Sequence, residues 1–406
     1  MAFRHRSALI RILAAISIAT CLLMSVSCSQ TPATSEIQRL LTGLEAGFDA
    51  SYPGRGLTDY PSEKPEDIPK AYAMVLLGAI DRARLAGVDR LPQLGLTAGM
   101  WLLDHRDENR DGVVGWGVPI AWDAYGDGSV NPAHTEYTIS TAIVVHALLD
   151  WMEFAADAPR QQILAAVTDA LRPYIETEMQ SPSGMAPYSL TTQDRRYDTF
   201  NPAAYLAGQM QRFSQVTTDA AVASALRQAA DTTVAVLIAQ KRIRPDSSAW
   251  YWGYSVQEAT PNDLPHASYI VDGIATYLRH GGRLAPAIDI KKVVAHLEDF
   301  LDRDDHRPLA WPFFRTDVRL PARLYDVGIA LRISCGDPAL AAFSDALLRS
   351  VASYRGADER YYRQPIAYAE KSRTPNRLVA EYEAYLYQGL ATCALTRAAG
   401  SSPARR

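Results

Sequence analysis

The sequence predicts an all-α protein in which six inner and six outer helices close into a ring. The first observation is a repeat: six helix starts are each followed by a tyrosine, at Tyr72, Tyr137, Tyr205, Tyr269, Tyr325 and Tyr382. Successive tyrosines lie at similar intervals, and a regular period indicates one supersecondary unit whose neighbouring copies bury each other's apolar faces. The second observation is that apolar residues recur at spacings of three and four through most of the chain, which is the helical period.

Twelve helical segments are expected to form the six units. Their approximate spans are 36–50, 67–87, 91–104, 134–156, 159–178, 201–216, 219–241, 265–281, 288–303, 321–335, 337–355 and 378–398. The even-numbered segments carry the tyrosines and are rich in Ala and Gly, which suits inner helices crowded around an axis. The odd-numbered segments carry more charge, which suits an outer layer. Pro69, Pro202, Pro265 and Pro321 lie in or near first turns, where proline is well tolerated.

The segments that lead into the inner helices are long and rich in aromatic residues. Loops of this length in a compact helical domain are usually functional. The candidate substrate-stacking residues in them are Trp116, Trp122, Tyr125, Trp250, Trp252, Tyr254 and Trp311. Aromatic faces mixed with polar groups suit a carbohydrate cleft, because sugar C–H faces stack on rings while hydroxyls form hydrogen bonds. The alternative is that these rings seal the loops onto the ends of the helices.

The N-terminal segment 1–27 resembles a bacterial lipoprotein signal. Arg4, Arg6 and Arg11 form a basic start, an apolar stretch follows, and Ser25-Val-Ser-Cys28 supplies a cleavage site with Cys28 as the lipidated residue. Ser25 stands where Leu is usual, so a simple secretory signal remains the alternative. We expect an exported protein held by a lipid, at the outer membrane facing the periplasm or at the cell surface.

The rest of the chain is expected to be one domain. Residues 28–36 would form a tether, residues 37–398 the helical ring and residues 399–406 a disordered tail. Removing the three signal-peptide arginines from 41 basic and 45 acidic residues leaves a net charge of −7, which argues against a nucleic-acid partner. No further apolar run is expected to reach the ~18 residues that span a bilayer, so the membrane contact is expected through the lipid alone. Cys335 and Cys393 fall in neighbouring inner helices and are either disulfide-bonded or two buried thiols.

This pattern of twelve helices, six repeats and aromatic loops resembles the (α/α)6-toroid carbohydrate-active enzymes. That group includes polysaccharide lyases, uronate C5-epimerases, hydrolases and sugar epimerases. The resemblance covers essentially the whole mature chain and is architectural. It implies a polysaccharide substrate, a site at the loop-bearing mouth and no required cofactor, but it does not select one activity.

The densest polar stretch runs from Trp250 into the helix that begins at Pro265. Asn262 or Asp263 is predicted to cap this helix, and His266 and Tyr269 then lie one turn apart on the same face. In toroid lyases an Asn, His or Arg neutralises the substrate carboxylate and a His or Tyr removes the C5 proton. By that resemblance, His266 or Tyr269 is the candidate base and Asn262 a candidate neutraliser. The alternative is a capped helix with one solvated histidine.

A second constellation lies between Gly115 and Tyr137. His134 is expected to occupy a place similar to that of His266, in an earlier repeat. A hydrolase needs two carboxylates across a cleft. Its candidates here are Asp123, Asp127 and Glu136, with Glu258, Asp263 or Asp317 opposite. For Asp127-Gly128 a simple turn is the alternative.

Asp107, Asn109 and Asp111 have the spacing of the first half of a Ca²⁺ loop. The twelfth position would be Val118 rather than Glu. The segment is therefore either a structural Ca²⁺ site, completed by Asp123 or Asp127, or a solvated Asx-turn loop.

Arginines approach the last two inner helices, with Arg315, Arg319 and Arg323 before the fifth. They would suit an anionic glycan, because Arg binds carboxylates bidentately, or they would pair with local acids. The sequence favours a lyase or C5-epimerase acting on a uronic-acid-containing glycan. The alternatives are a glycoside hydrolase and a non-catalytic glycan-binding lipoprotein of an export or uptake assembly.

Overall fold

The computed structural model describes residues 32–60 and 62–400, and the predicted signal peptide, Cys28 and residues 401–406 lie outside these ranges. Thirteen α-helices are present in the described residues. They are α1 (Pro32–Gly47), α2 (Pro69–Ala86), α3 (Gln93–Asp104), α4 (Thr138–Trp151), α5 (Asp157–Leu171), α6 (Phe200–Phe213), α7 (Ala220–Gln240), α8 (Leu264–Arg279), α9 (Ile290–Ala295), α10 (Leu324–Ser334), α11 (Ala341–Ser350), α12 (Ile366–Ser372) and α13 (Ala380–Gly400).

The helices form a closed ring of six hairpins. The inner helices α2, α4, α6, α8, α10 and α13 contact one another in chain order, and α13 returns to contact α2. Each inner helix also packs against an outer one: α3, α5, α7, α9 and α11 follow their inner partners, while α1 covers α13. The two ends of the described chain therefore meet in one hairpin. The predicted all-α toroid is confirmed.

Small residues allow the inner helices to pack closely. A Cβ atom at Gly273 of α8 would clash with the Ala204 carbonyl of α6, and one at Gly389 of α13 would clash with the Gly328 carbonyl of α10. These backbone approaches explain why the inner helices are rich in Gly and Ala. Larger side chains at those positions would force the helices apart.

Three of the six repeated tyrosines, Tyr205, Tyr269 and Tyr325, meet Tyr385 at the centre of the ring. Tyr205 and Tyr269 meet edge to face, with ring centroids 5.3 Å apart, and the Tyr269 and Tyr385 hydroxyl oxygens are 2.7 Å apart. The Tyr325 hydroxyl donates to that of Tyr269 at 3.2 Å. These four residues form the tyrosine cluster, in which buried hydroxyls satisfy one another while the rings supply apolar contact.

The structure departs from the predicted elements mainly at their ends and in the loops. α1 begins at Pro32, inside the predicted tether, and α4 begins at Thr138 rather than near residue 134. The outer segments 288–303 and 337–355 are each a short α-helix flanked by 3-10 turns. α12 and three two-stranded antiparallel ribbons lie within the long loops. Their strands are Arg55–Gly56 with Glu66–Asp67, Trp122–Asp123 with Val130–Asn131, and Arg242–Ile243 with Trp250–Tyr251.

Cys335 and Cys393 are joined in a disulfide, which links the end of α10 to α13. Of the two alternatives, a disulfide or two buried thiols, the structure shows the disulfide.

Among the described residues, α7 is the one helix long and apolar enough to cross a membrane by length and composition. This corrects the expectation that no such run occurs. In this structure α7 is an outer helix that packs against α6. Helices within folded domains can meet the same criteria of length and composition.

Candidate functional site

The start of α8 carries a histidine–carboxylate pair at the mouth of the ring where the inner helices begin. Asp263 is the N-cap of α8, as predicted, and its Oδ1 accepts a hydrogen bond from the His266 backbone N–H at 3.3 Å. The His266 Nδ1 donates to the same carboxylate oxygen. This bond favours the tautomer that carries its proton on Nδ1, so the lone pair lies on Nε2. The His266 side chain is 31% exposed, which makes Nε2 reachable by a ligand.

Arg323 connects this pair to the start of α10. Its guanidinium lies 3.4 Å from Asp263 Oδ2 and 3.0 Å from Asp326 Oδ1. Burial alone would raise the pKa of Asp263, but His266 and Arg323 outweigh it and hold the pKa below its usual value. Asp263 is therefore an ionised carboxylate that orients the imidazole. Burial raises the pKa of Asp326 despite the nearby Arg323.

These residues border a cavity of about 240 Å³, the α8 pocket. It is lined by Tyr254, Glu258, Thr260, Pro261, Asn262, Asp263, His266 and Trp311. The Tyr254 ring meets the His266 ring edge to face at 5.1 Å, and the Arg315 guanidinium lies 4.3 Å from the centre of the Trp311 ring. Burial raises the pKa of Tyr254 far above its usual value, which keeps the hydroxyl protonated. The pocket thus combines a histidine nitrogen, a phenol and an indole face.

The centre of the mouth holds a buried ion pair that the sequence analysis did not single out. Lys70 Nζ of α2 lies 3.2 Å from Glu381 Oε1 of α13. Glu381 also accepts hydrogen bonds from Thr58 Oγ1 and from the Asp59 backbone, and Lys70 donates to the Tyr60 hydroxyl at 3.4 Å. Burial lowers the pKa of Lys70, but the Tyr60 and Glu381 groups outweigh it and raise that pKa well above its usual value.

A sequence signal for this pair existed in the repeat itself. Lys70 lies between Pro69 and Tyr72 in the first copy, and Glu381 directly precedes Tyr382 in the last copy. Both residues lie in the first turn of their inner helices. Only ring closure brings the first and last copies together.

Several predicted site residues are structural. Tyr269 is 2% exposed and belongs to the tyrosine cluster, so it does not share the pocket of His266, and its assignment as a base is corrected. Trp116 and Trp252 are buried, and their indole N–H groups donate to the Leu102 and Leu237 carbonyls. Trp250 is also buried, under Lys241. These three indoles secure the loops rather than face a substrate.

Other aromatic candidates remain at the mouth. Trp122 is partly exposed and meets Tyr60 edge to face at 4.9 Å, and its Nε1 is buried with no hydrogen-bond partner in the described chain. Tyr125 stacks on Tyr197 at 3.6 Å, and its hydroxyl lies 2.7 Å from Thr199 Oγ1. Asn262 is 2% exposed and donates its side-chain N–H to the Gly253 carbonyl. One of its two side-chain N–H groups is therefore used and the residue is buried, which argues against Asn262 as a carboxylate neutraliser.

The second predicted constellation is dispersed. His134 precedes α4 in a turn with φ of 64° and lines a separate cavity of about 180 Å³, the α2 pocket, with Glu66, Trp101, His105 and Glu108 among its neighbours. It therefore does not occupy a place like that of His266, because α4 begins four residues later.

The three acidic candidates of this constellation differ in how they are bound. Asp123 accepts the backbone N–H groups of Gly126 and Gly128 at 2.8 and 2.9 Å, as a turn carboxylate does. Asp127 is exposed, and its bonds to Ser129 and Tyr197 lower its pKa. Glu136 is 5% exposed and accepts from Asn109 at 2.7 Å, and burial raises its pKa to about 7. Of the three, Glu136 has the environment of a proton donor at neutral pH.

The proposed calcium ligands bond to their own loop. Asp107 accepts the backbone N–H groups of Asp111 and Gly112, and Asp111 accepts that of Val113. Within residues 32–60 and 62–400, no group of three or more His, Cys, Asp or Glu is arranged to hold a metal ion. The geometry favours the Asx-turn alternative over calcium binding.

The predicted cationic rim is largely paired. Arg315 lies 2.7 Å from Asp317, and Arg319 lies 3.5 Å from Asp302 and 3.6 Å from Asp304. Asp317, proposed as one of the opposing carboxylates, is therefore bound by Arg315. Arg323 and Arg315 remain beside the α8 pocket, whereas Arg319 is exposed away from it.

No protein-family model matches the chain, and no curated protein matches its sequence. Among solved structures, the chain is similar to a GH76 α-mannanase of Bacteroides thetaiotaomicron, with a TM-score of 0.62 and 8% identity over 92% of this chain and 98% of that one. It is also similar to an unsaturated glucuronyl hydrolase specific for heparin, with a TM-score of 0.57 and 10% identity over 90% and 97%. It is similar as well to a GH76 mannosidase of Bacteroides thetaiotaomicron VPI-5482, with a TM-score of 0.55 and 10% identity over 91% of this chain and 99% of that one. At these identities the likeness establishes the fold, and the chain has the (α/α)6-toroid architecture found in these carbohydrate-active enzymes.

Proposed function

We propose that the chain is a glycan-acting enzyme whose site is the α8 pocket, and that it removes the C5 proton of a uronic acid residue. The observation that carries the proposal is the Asp263–His266 pair, which directs a basic imidazole nitrogen into a pocket lined by Tyr254 and Trp311. A histidine held by an ionised carboxylate is a competent general base. The architecture that this chain shares with enzymes of glycan chemistry agrees with such a substrate.

The reaction would proceed by β-elimination. His266 Nε2 takes the C5 proton, the electron pair of the C5–H bond forms the C4–C5 double bond, and the C4–O bond breaks. Tyr254, whose raised pKa keeps its hydroxyl protonated, gives that proton to the departing oxygen. Arg323 and the N-terminus of α8 offset the negative charge that develops on the uronate carboxyl group. Return of a proton to the opposite face of C5 would instead give epimerisation.

A second candidate is glycoside hydrolysis, for which Glu136 is the specific observation. A carboxyl group with a pKa of about 7 can donate a proton to a glycosidic oxygen at neutral pH. Glu136 contacts Gly115, which lines the α2 pocket together with Glu66 and Glu108. One of those carboxylates would serve as the base or nucleophile. The structural neighbours that are hydrolases give this alternative its weight.

The deciding experiment incubates residues 29–406, which omit the signal and the lipid-bearing Cys28, with a panel of acidic and neutral polysaccharides. Absorbance of the unsaturated uronate and release of reducing ends are followed together. A rise in both supports elimination. Reducing ends without absorbance overturn elimination and favour the hydrolase. If neither rises, deuterium incorporation at C5 supports epimerisation, and its absence leaves a glycan-binding protein.

We also propose that the protein is exported and held by a lipid on Cys28. The basis is the signal-like composition of residues 1–27. Metabolic labelling with a radioactive fatty acid tests it, with Cys28→Ser as the matched control. Label that persists in Cys28→Ser, or wild type without label, would contradict lipidation at this residue.

A further inference from the structure

The opposite end of the ring contains a second cavity, of about 390 Å³, which we call the lower cavity. Five inner helices line it near their C-terminal ends: α2, α4, α8, α10 and α13. Its volume falls in the range of roughly 300–1,000 Å³ that is typical of small-molecule sites. Exposed Arg279 and Gly336 border it, so a ligand has a route from solvent.

Charged side chains of the lower cavity form a continuous network. Asp272 is paired with Arg332, whose guanidinium also donates to the Tyr205 hydroxyl at 3.4 Å. His146 Nδ1 lies 2.6 Å from that hydroxyl, and its Nε2 lies 3.8 Å from Asp150. Tyr205 belongs to the tyrosine cluster, so these bonds connect the lower cavity to the centre of the ring.

The charges of the lower cavity largely offset one another. Three of its four lining carboxylates have an arginine partner: Asp272 with Arg332, Asp150 with Arg212 at 2.7 Å, and Asp81 with Arg84 at 3.2 Å. The fourth, Asp337, accepts the Ala339 backbone N–H, and the lining residue Arg279 carries the opposite charge. Burial lowers the pKa of His146 to about 4, so the imidazole is neutral at pH 7. A site with paired charges gives no net attraction to a free cation or anion, and it favours a neutral ligand with many hydroxyl groups.

One polar group of the lower cavity is left without a partner. Gln388 of α13 lines the cavity and is 3% exposed. Its Nε2 donates to Thr392 Oγ1 at 2.9 Å, whereas its Oε1 accepts no hydrogen bond from any described part of the chain. A buried acceptor without a partner destabilises the folded protein. A ligand hydroxyl or a water would remove that destabilisation.

The walls also carry apolar surface suited to the C–H face of a sugar ring. Leu77 of α2, Val271 of α8 and Ile333 of α10 line the cavity beside the polar groups. We infer that the lower cavity is a second binding site, separate from the α8 pocket, for one small neutral polyol such as a monosaccharide. Gln388 accepts a hydroxyl proton, Asp272 and Arg332 bind neighbouring hydroxyls, and the apolar side chains cover the ring.

Saturation-transfer difference NMR with D-glucose, D-mannose and D-xylose tests the inference on the intact mature protein. Gln388→Leu removes the acceptor. Ala275→Phe fills the cavity from α8, where Ala275 lines it and is partly exposed. His266→Ala is the matched control in the α8 pocket. We expect binding of at least one sugar that weakens about tenfold in Gln388→Leu, disappears in Ala275→Phe and persists in His266→Ala, with circular dichroism unchanged in all three.

The contrary results are distinct. No signal from any of the three sugars with wild type overturns the inference. So does a signal that survives Ala275→Phe, or one that His266→Ala abolishes, because the sugar then lies elsewhere or in the mouth. If Gln388→Leu fails to fold, Ala275→Phe with unchanged circular dichroism decides the matter alone. The inference stands independently of the proposed catalytic activity, since its readout is binding.

Discussion

The two ends of the ring are built differently. At the end where the inner helices finish, the connections are short, as in 152–156 and 280–289. At the end where they begin, the connections are much longer, as in 48–68 and 105–137. Short links between packed helices do no more than reverse the chain, whereas links longer than about 15 residues are uncommon in a compact domain and are usually functional. The loop-bearing end is therefore the mouth at which a substrate site is expected.

The polar side chains at the two ends also differ in whether they are fully paired. At the lower cavity the charges form close pairs, such as Asp272 with Arg332. At the mouth, His266 keeps one ring nitrogen available while Asp263 binds the other. Paired charges fix a structure, and a partly exposed base can react. The comparison predicts that substitutions at the mouth alter activity, whereas those at the lower cavity first alter stability.

The largest expected effect is on activity at the mouth. His266→Ala removes the proposed base, and we expect a loss of about 10²–10⁴-fold in product formation with an unchanged melting temperature. His280→Ala is the matched control, because His280 follows the other end of the same helix. Equal activity in the two variants would contradict the assignment of the base.

At the lower cavity we expect a loss of stability instead. Asp272→Ala leaves the buried Arg332 without its partner and should lower the free energy of unfolding by about 3–5 kcal/mol. The control is Asp345→Ala, which breaks the more exposed pair with Arg397 and should cost about 0–1 kcal/mol. Urea denaturation measures both free energies of unfolding. Similar losses in the two variants would contradict a larger contribution from the buried pair than from the exposed one.

The disulfide should contribute next. Cys335 and Cys393 are separated by 58 residues and join the last two inner helices. Cys335→Ser should lower the free energy of unfolding by about 2–4 kcal/mol, since the unfolded chain gains entropy. A reducing agent should destabilise wild type to a similar extent and leave Cys335→Ser unchanged. A variant as stable as wild type would show that packing alone holds α10 against α13.

A smaller effect is expected from pH at Glu136. Its pKa is raised from the usual 4.5 to about 7 in the folded protein, so between these values the folded state binds more protons than the unfolded state. Stability should therefore fall as pH rises from 4.5 through 7, by at most about 3 kcal/mol. Glu136→Gln should remove this part of the pH dependence. Parallel stability curves for the two proteins would contradict the raised pKa.

The smallest effect should come from removal of calcium. Because Asp107 and Asp111 already accept backbone N–H groups of their own loop, we expect EDTA to leave the melting temperature unchanged. A fall in EDTA that excess Ca²⁺ reverses, and that Asp107→Asn abolishes, would instead establish the calcium site.

Local patterns predicted most of what lies on one helix or its cap. The helix at Pro265 and its Asp263 cap follow from a proline in the first turn and an acidic residue before it. The same logic failed for Trp116 and Trp252, because composition shows that a loop is aromatic but not which way each ring points. The prediction of Tyr269 as a base was wrong for a similar reason. Its position one turn after His266 was predicted correctly, but its hydroxyl bonds to Tyr385, far along the chain.

The class of fold, the six-fold repeat and the position of the loops can be read from local patterns, because each depends on periodicity and on breakers within a few residues. Which residues meet across the axis depends instead on tertiary packing. Lys70 and Glu381 pair because the ring closes, and the lower cavity exists because five helix ends converge without filling the space between them. Such contacts depend on side chains that are far apart in sequence and are selected by packing, which no local pattern encodes.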